Sequence, residues 1–245
     1  MPARVGLIIP SSNRMVEQEL VPQLPTGIVA HVTRLRMTGA HKTPLNRLLP
    51  RVAEAAQLLD DARCNVIAFH CTANSTGRGL AGEAQLLDML RRAAAGQATT
   101  TATAIREALS GLDARRIVLL TPYGAAATDQ EAEFLRAAGY EVIAARGFAL
   151  GGSDDYCARL PQFWHDRAIE AARADADAYL ISCANISVLP AIETIEQKLD
   201  RPIVTSNQAV IWHVLSLLGI AQGCERWGRL FDRRDAAAGS RRMRA

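Results

Sequence analysis

Two cysteines of this 245-residue chain stand where nucleophilic or proton-transfer chemistry would need them. Cys71 lies in Phe69-His70-Cys71-Thr72-Ala73-Asn74-Ser75 and Cys183 in Ile181-Ser182-Cys183-Ala184-Asn185, each just after a short apolar run. The small polar residues that follow leave backbone N–H groups free for an anion, and the same positive environment favours a thiolate. Free cysteine is more often a buried small hydrophobe, and Cys64, Cys157 and Cys224 are read that way. Cys71 and Cys183 are read as functional because they recur 112 residues apart, as do Pro10 and Pro122. Two facing thiols can act in opposite senses: one removes a proton or adds to an electrophilic carbon while the other delivers a proton from the far side. Such a pair needs no cofactor, and none is expected. The chain shows no GxGxxG after a strand, no GxxxxGK[ST], no HExxH and no GxSxG.

The remaining polar candidates are positioners. Ser11-Ser12-Asn13 follows the first apolar run and Tyr123-Gly124 the fourth. Such side chains donate hydrogen bonds without titrating near neutrality, which suits carboxylate oxygens. Asn13 equally fits the start of a helix over Met15–Leu20. His70 is adjacent to Cys71, and side chains alternate along a strand, so it is read as a buried structural histidine. His31, His41, His165 and His213 have no metal-ligand spacing. Leu150-Gly151-Gly152-Ser153-Asp154-Asp155 is glycine-rich, but its two acids make a poor phosphate cradle, and it is read as a loop.

These residues hang on an alternating framework. Strands are expected at Val5–Ile9, Val29–Leu35, Asn65–Phe69, Ile117–Leu120, Tyr140–Ala145, Ala178–Ile181 and Pro202–Thr205, with helical spacing between them. One helix follows Thr43-Pro44 and places Leu48, Val52, Ala55, Ala56 and Leu59 on one face. Another is expected from Thr128, with Glu131 completing a capping box, to Gly139. Near-continuous apolar strands joined by helices predict an α/β fold with parallel sheets covered on both faces. The 112-residue offset also carries Val29–Leu35 onto the strand at Glu141–Gly147, which predicts duplicated halves of about 110 residues. The expected division is a first lobe of 1–98 plus 206–232, a second of 99–205, and an Arg-rich tail, 233–245. Ligands of parallel sheets sit beyond the strands' carboxyl ends, so both cysteines point at one cleft between the lobes.

Composition narrows the class. The chain is 49% hydrophobic and 22% charged with 17 Gly, which excludes disorder and collagen-like structure. The apolar stretch around 209–221 is shorter than the roughly 18–20 residues of a membrane span and is broken by His213, so no membrane association is expected. Residues 1–9 lack a signal-peptide pattern, and a cytoplasmic location is expected. Of the +3 formal charge, residues 220–245 carry seven Arg against three acids, or +4, which leaves the body at −1 and argues against nucleic acid. Five cysteines without a CxxC pair argue against a disulfide framework or structural zinc. Homo-oligomerisation stays open, since the apolar helix around 210–218 suits either a lobe interior or a subunit interface.

The chain resembles the aspartate/glutamate racemase superfamily, within it the branch of maleate cis–trans isomerases and arylmalonate decarboxylases. The resemblance runs over residues 4–232. It rests on Val5-Gly6-Leu7-Ile8-Ile9-Pro10-Ser11-Ser12-Asn13, Cys71-Thr72, Arg116-Ile117-Val118-Leu119-Leu120-Thr121-Pro122-Tyr123, Ser182-Cys183 leading to Leu189-Pro190-Ala191-Ile192, and Gly228-Arg229-Leu230-Phe231-Asp232. It implies a pseudo-symmetric two-lobe fold, no cofactor, and a small carboxylate substrate between Cys71, as nucleophile, and Cys183, as acid/base. It also implies that Asn13 and Tyr123 hold carboxylates, with backbone N–H groups at Thr72, Ala73 and Ala184 completing the grip. The sequence departs from the isomerases in Thr72-Ala73-Asn74-Ser75, which is closer to the decarboxylases' oxyanion pocket, yet the decarboxylases have Gly where this chain has Cys71. A second substrate-binding Asn of the isomerases falls near Ser153-Asp154, so that contact is altered, and an Asp154 facing the cleft would repel a carboxylate. The leading expectation is a maleate-type isomerase. A two-cysteine amino-acid or hydantoin racemase, an arylmalonate-type decarboxylase using Cys183, and a non-catalytic carboxylate binder are the alternatives.

Overall fold

The computed structural model describes residues 2–37, 43–220 and 227–232. The chain builds two four-stranded parallel sheets in succession. Strands β1 (Ala3–Pro10), β2 (Ile28–Leu35), β3 (Val66–Phe69) and β4 (Gln97–Thr100) form the first, in the order β2-β1-β3-β4. Strands β5 (Arg116–Thr121), β6 (Glu141–Gly147), β7 (Ala178–Ile181) and β8 (Ile203–Thr205) form the second, in the order β6-β5-β7-β8. Parallel pairing demands a crossover after each strand, and helices that bury both sheet faces supply most of these. The inner strands accordingly carry unbroken apolar runs: Leu7, Ile8 and Ile9 of β1 and Ile117 through Leu120 of β5 are fully buried.

The 112-residue offset lays β1 over β5 and β2 over β6, and carries Val66–Phe69 onto Ala178–Ile181 residue for residue. It fails at the fourth strands. Strand β4 is not legible as an apolar run because it ends in Thr99 and Thr100, both fully buried. Their hydroxyls are satisfied by His213 Nδ1 at 3.0 Å and Glu83 Oε1 at 2.8 Å. The fourth strands still end alike. Thr100 caps α4 (Thr101–Gly111) by accepting from Thr103 N at 3.0 Å, and Thr205 caps α9 (Ser206–Leu217) by accepting from Gln208 N at 3.1 Å. Helices α4 and α9 pack on each other between the sheets, and one apolar cluster runs from Val5 and Leu7 through both helices to Leu119 and Leu180.

Helix α1 (Leu45–Asp61) buries the five residues that the spacing selects: Leu48, Val52, Ala55, Ala56 and Leu59. It lies so close to β1 that a Cβ on Gly6 would stand 2.9 Å from Leu59 Cδ1, which explains the glycine in an otherwise apolar strand. Helices α2 (Thr72–Thr76) and α3 (Gly79–Ala93) follow β3. Two sequence expectations are corrected. Helix α5 (Ala125–Ala137) starts three residues before Thr128, with Gly124 in the extended N-cap conformation. Thr128 therefore lies inside the helix, where its hydroxyl bonds Thr121 Oγ1 at 2.7 Å and Gly124 O at 3.1 Å, and Glu131 is buried rather than capping. The stretch read as a loop turns at Gly152 (φ +107°) into α6 (Ser153–Ala158), and α7 (Pro161–Glu170) and α8 (Ile192–Leu199) complete the second half.

Helix α9 buries Ala209, Val210, Ile211, Val214 and Leu215 within the chain itself. No helix among the described residues is long and apolar enough to cross a membrane. Cys224 and the tail at 233–245 lie outside the described residues.

Candidate active site

Each cysteine sits two residues beyond the strand that carries it. His70 N donates to Ile8 O and Ser182 N to Leu120 O, both at 2.8 Å, so the two ladders continue through equivalent positions of the two halves. Strand alternation then turns His70 and Ser182 inward and presents Cys71 and Cys183 to the space between the sheets' carboxyl ends. His70 is fully buried between Thr101 Oγ1 (3.0 Å) and Asn207 Oδ1 (2.9 Å), and burial pushes its pKa down to about 4. It is a neutral structural imidazole and does not serve Cys71 as a base.

A cavity of about 410 Å³ opens at this point. Eight of the nine residues expected at the site line it: Ser12, Asn13, Cys71, Thr72, Tyr123, Ser153, Cys183 and Ala184. Ala73 does not. It lies half-buried in α2, and its carbonyl accepts from Gly77 N at 3.1 Å. Met37, Leu150 and Tyr156 also line the cavity and were not singled out from the sequence. Met37 and Leu150 follow the outer strands β2 and β6, and the repeat that aligned these strands pointed to both connections. Tyr156 follows the stretch read as a loop and lies in α6; its ring meets that of Tyr123 edge-on at 6.1 Å.

The cysteines differ in surroundings. Cys71 is 3% exposed and is the N-cap of α2; Asn74 Nδ2 donates to its sulfur at 3.4 Å. Cys183 accepts from Asn185 N at 3.3 Å and is hydrogen-bonded to Tyr123, yet burial pushes its thiol up to about 12. Burial likewise drives the Tyr123 phenol well above its ordinary value. At neutral pH the second half thus presents a thiol and a phenol, both neutral and both able to donate.

The positioners join the halves. Asn13 Oδ1 accepts from Met15 N (3.1 Å) and Val16 N (3.0 Å), which starts the helical turn Val16–Leu20, while its Nδ2 donates to Ala184 O at 2.8 Å. The expectation that Asn13 starts a helical turn therefore describes this side chain. Arg14 N donates to Asn185 Oδ1 at 2.8 Å and Ser153 Oγ to Ser12 Oγ at 3.0 Å. The Asp154 side chain is 97% exposed and pairs with Arg14 at 2.7 Å, so it does not face the cleft. Among the described residues, the cavity lining contains no Lys, Arg, His, Asp or Glu. No cluster of His, Cys, Asp or Glu that could hold a metal occurs among the described residues.

The chain is similar to known proteins over most of its length. A maleate isomerase of Geobacillus stearothermophilus is 26% identical over 235 residues, covering 89% of this chain and 92% of that protein. An arylmalonate decarboxylase of Bordetella bronchiseptica is 28% identical over 243 residues, covering 93% and 96%. The crystal structure of a cysteine-to-alanine variant of the maleate isomerase from Pseudomonas putida S16, with maleate, superposes with a TM-score of 0.87 at 26% identity, covering 94% of this chain and 98% of that one. The arylmalonate decarboxylase family model matches residues 5–231, nearly the whole chain, and the chain belongs to that family.

Proposed function

We propose that the protein is a cofactor-independent cis–trans isomerase of a small unsaturated dicarboxylate, with maleate as substrate. The observation that carries this reading is the pairing of Cys71, with an amide donor on its sulfur, and a buried Cys183 thiol in the lining of one cavity. Asn13, Thr72, Tyr123 and the Ala184 backbone bind the carboxylates, and Ser12 and Ser153 close the rim. The Cys71 thiolate adds to one olefinic carbon, forming a C–S bond, and the displaced π pair takes a proton from the Cys183 thiol at the neighbouring carbon. The former double bond is now single and rotates. The Cys183 thiolate then removes a proton from the same carbon, the double bond re-forms, and the C–S pair returns to Cys71 as fumarate leaves. Similarity to proteins named maleate isomerase supports the reading.

A second reading, decarboxylation of a substituted malonate, is favoured by Thr72 on the cavity wall and by the decarboxylase relative. In that reaction Cys183 protonates the enediolate left by CO₂ and Cys71 is dispensable. A lobe division of 1–98 with 206–232 against 99–205 belongs to the same proposal, β4 carrying the seam, with closure of the lobes admitting and enclosing substrate. Proton NMR in D₂O with maleate or phenylmalonate separates the two chemistries. Conversion of maleate to fumarate that Cys71→Ser abolishes supports isomerisation. A deuterated monoacid from phenylmalonate, unaffected by that substitution, replaces it with decarboxylation.

A further inference from the structure

Glu131 is a buried acid that the steps above do not use. It is 1% exposed, in the middle of α5; Oε1 accepts from Ser182 Oγ, and Oε2 has no partner among the described residues. Ser182 Oγ stands 3.3 Å from Ser206 Oγ, and Thr72 Oγ1 donates to Ser206 Oγ at 2.8 Å. An unbroken line of hydroxyls therefore runs from Glu131 through Ser182 and Ser206, all buried, to Thr72 on the cavity wall beside Cys71.

The direction of this line matters. When Glu131 is a carboxylate it only accepts, so Ser182 donates to it, Ser206 to Ser182 and Thr72 to Ser206; Thr72 then shows lone pairs to the cavity. When Glu131 is a neutral acid its O–H can donate to Ser182, each hydroxyl turns over, and Thr72 presents its O–H to an anion in the cavity. We propose that Glu131 is a positioning residue which, as a neutral acid, orients the Ser182–Ser206–Thr72 chain so that Thr72 donates to the substrate carboxylate.

Burial pushes the Glu131 carboxyl up to about 8, so the neutral acid prevails at neutral pH, and the proposed reversal requires Thr72 to turn from the Ser206 oxygen it donates to here. The titratable groups facing it are Tyr123 and Cys183, both neutral in this range, and its negative charge raises the pKa of each. Asp129 and Glu133 on α5 are exposed, and α2 carries no titratable side chain. On the other elements packed against α5, Arg116 pairs with Glu141, Arg146 with Glu170 and Glu83 with Thr100 and Arg106, while Asp88, Arg91 and Arg92 of α3 are exposed.

The inference rests on the dicarboxylate reading, and succinate, which has no double bond to isomerise, tests it apart from turnover. Calorimetry of succinate binding is expected to give a Kd that weakens about tenfold from pH 7 to pH 9 in the wild type, with proton uptake at the higher pH. Glu131→Gln, whose amide donates to Ser182 at every pH, is expected to change less than about twofold over this range and to take up no proton. Ser206→Ala, which cuts the line while keeping the acid, is expected to bind more weakly at pH 7 and to lose the proton uptake. A pH dependence retained in Glu131→Gln or Ser206→Ala, or no succinate binding at any pH, overturns the proposal. Succinate binding as described with no conversion of maleate supports the hydroxyl line and defeats the isomerase reading, whereas maleate turnover with a pH dependence unchanged in Glu131→Gln does the reverse.

Discussion

The side-chain amide of Asn13 donates to the carbonyl of Ala184 at 2.8 Å across 171 residues of sequence, tying the loop after β1 to the loop that carries Cys183. Its oxygen simultaneously receives two backbone N–H groups. Asn13→Ala leaves these buried partners unsatisfied. A stability loss of about 1–3 kcal/mol in urea unfolding is expected, with a fall in kcat, because the Cys183 loop loses its anchor on the opposite half.

Cys71→Ser and Cys183→Ser are each expected to lower kcat for maleate by about 10²–10⁴-fold with little change in Tm, since both sites keep their volume. Mass spectrometry of Cys183→Ser after incubation with maleate should show one added maleate on Cys71. A variant that retains full turnover with either serine would defeat the two-thiol mechanism.

Tyr123→Phe removes the hydroxyl that bonds the Cys183 sulfur while keeping the ring against Tyr156. A kcat reduced by about tenfold to a hundredfold is expected, the worth of one hydrogen bond to a charged group. Unchanged kinetics would mean that Cys183 does not need this partner.

His70 and Glu131 give stability opposite dependences on pH. His70 titrates near 4 in the fold against about 6.5 unfolded, so its contribution is complete above 6.5 and declines by about 2 kcal/mol between pH 7.5 and pH 5. Glu131 titrates near 8 against about 4.5 unfolded, so its contribution is complete below 4.5 and declines on the order of 3 kcal/mol between pH 5 and pH 7.5. From these two groups the wild type should therefore lose only about 1 kcal/mol from pH 5 to pH 7.5. Glu131→Gln, measured by urea unfolding, should grow more stable from pH 5 to pH 7.5.

Asp154 is exposed and paired with Arg14 at the rim. Asp154→Asn is expected to alter KM by less than about twofold, because exposed ion pairs contribute little. A large fall in KM would instead place its charge within reach of the substrate carboxylate.

The sequence by itself determined the framework. Apolar runs located seven of the eight strands, the spacing of Leu48 through Leu59 gave the buried face of α1, and the 112-residue repeat placed Cys71 and Cys183 at equivalent strand ends. These features are legible because backbone periodicity and strand alternation act over a few residues. What only the tertiary structure decided depends on groups far apart in the chain. The buried hydroxyls of β4 are acceptable only because His213 and Glu83 reach them, and Thr128-x-x-Glu131 reads as a cap until α5 is seen to begin earlier. Asp154 turns outward to Arg14, and Glu131 becomes a neutral acid joined to the cavity only where α5, β7, α9 and α2 converge. Burial and long-range proximity set proton affinity and hydrogen-bond direction, and neither is a property of local sequence.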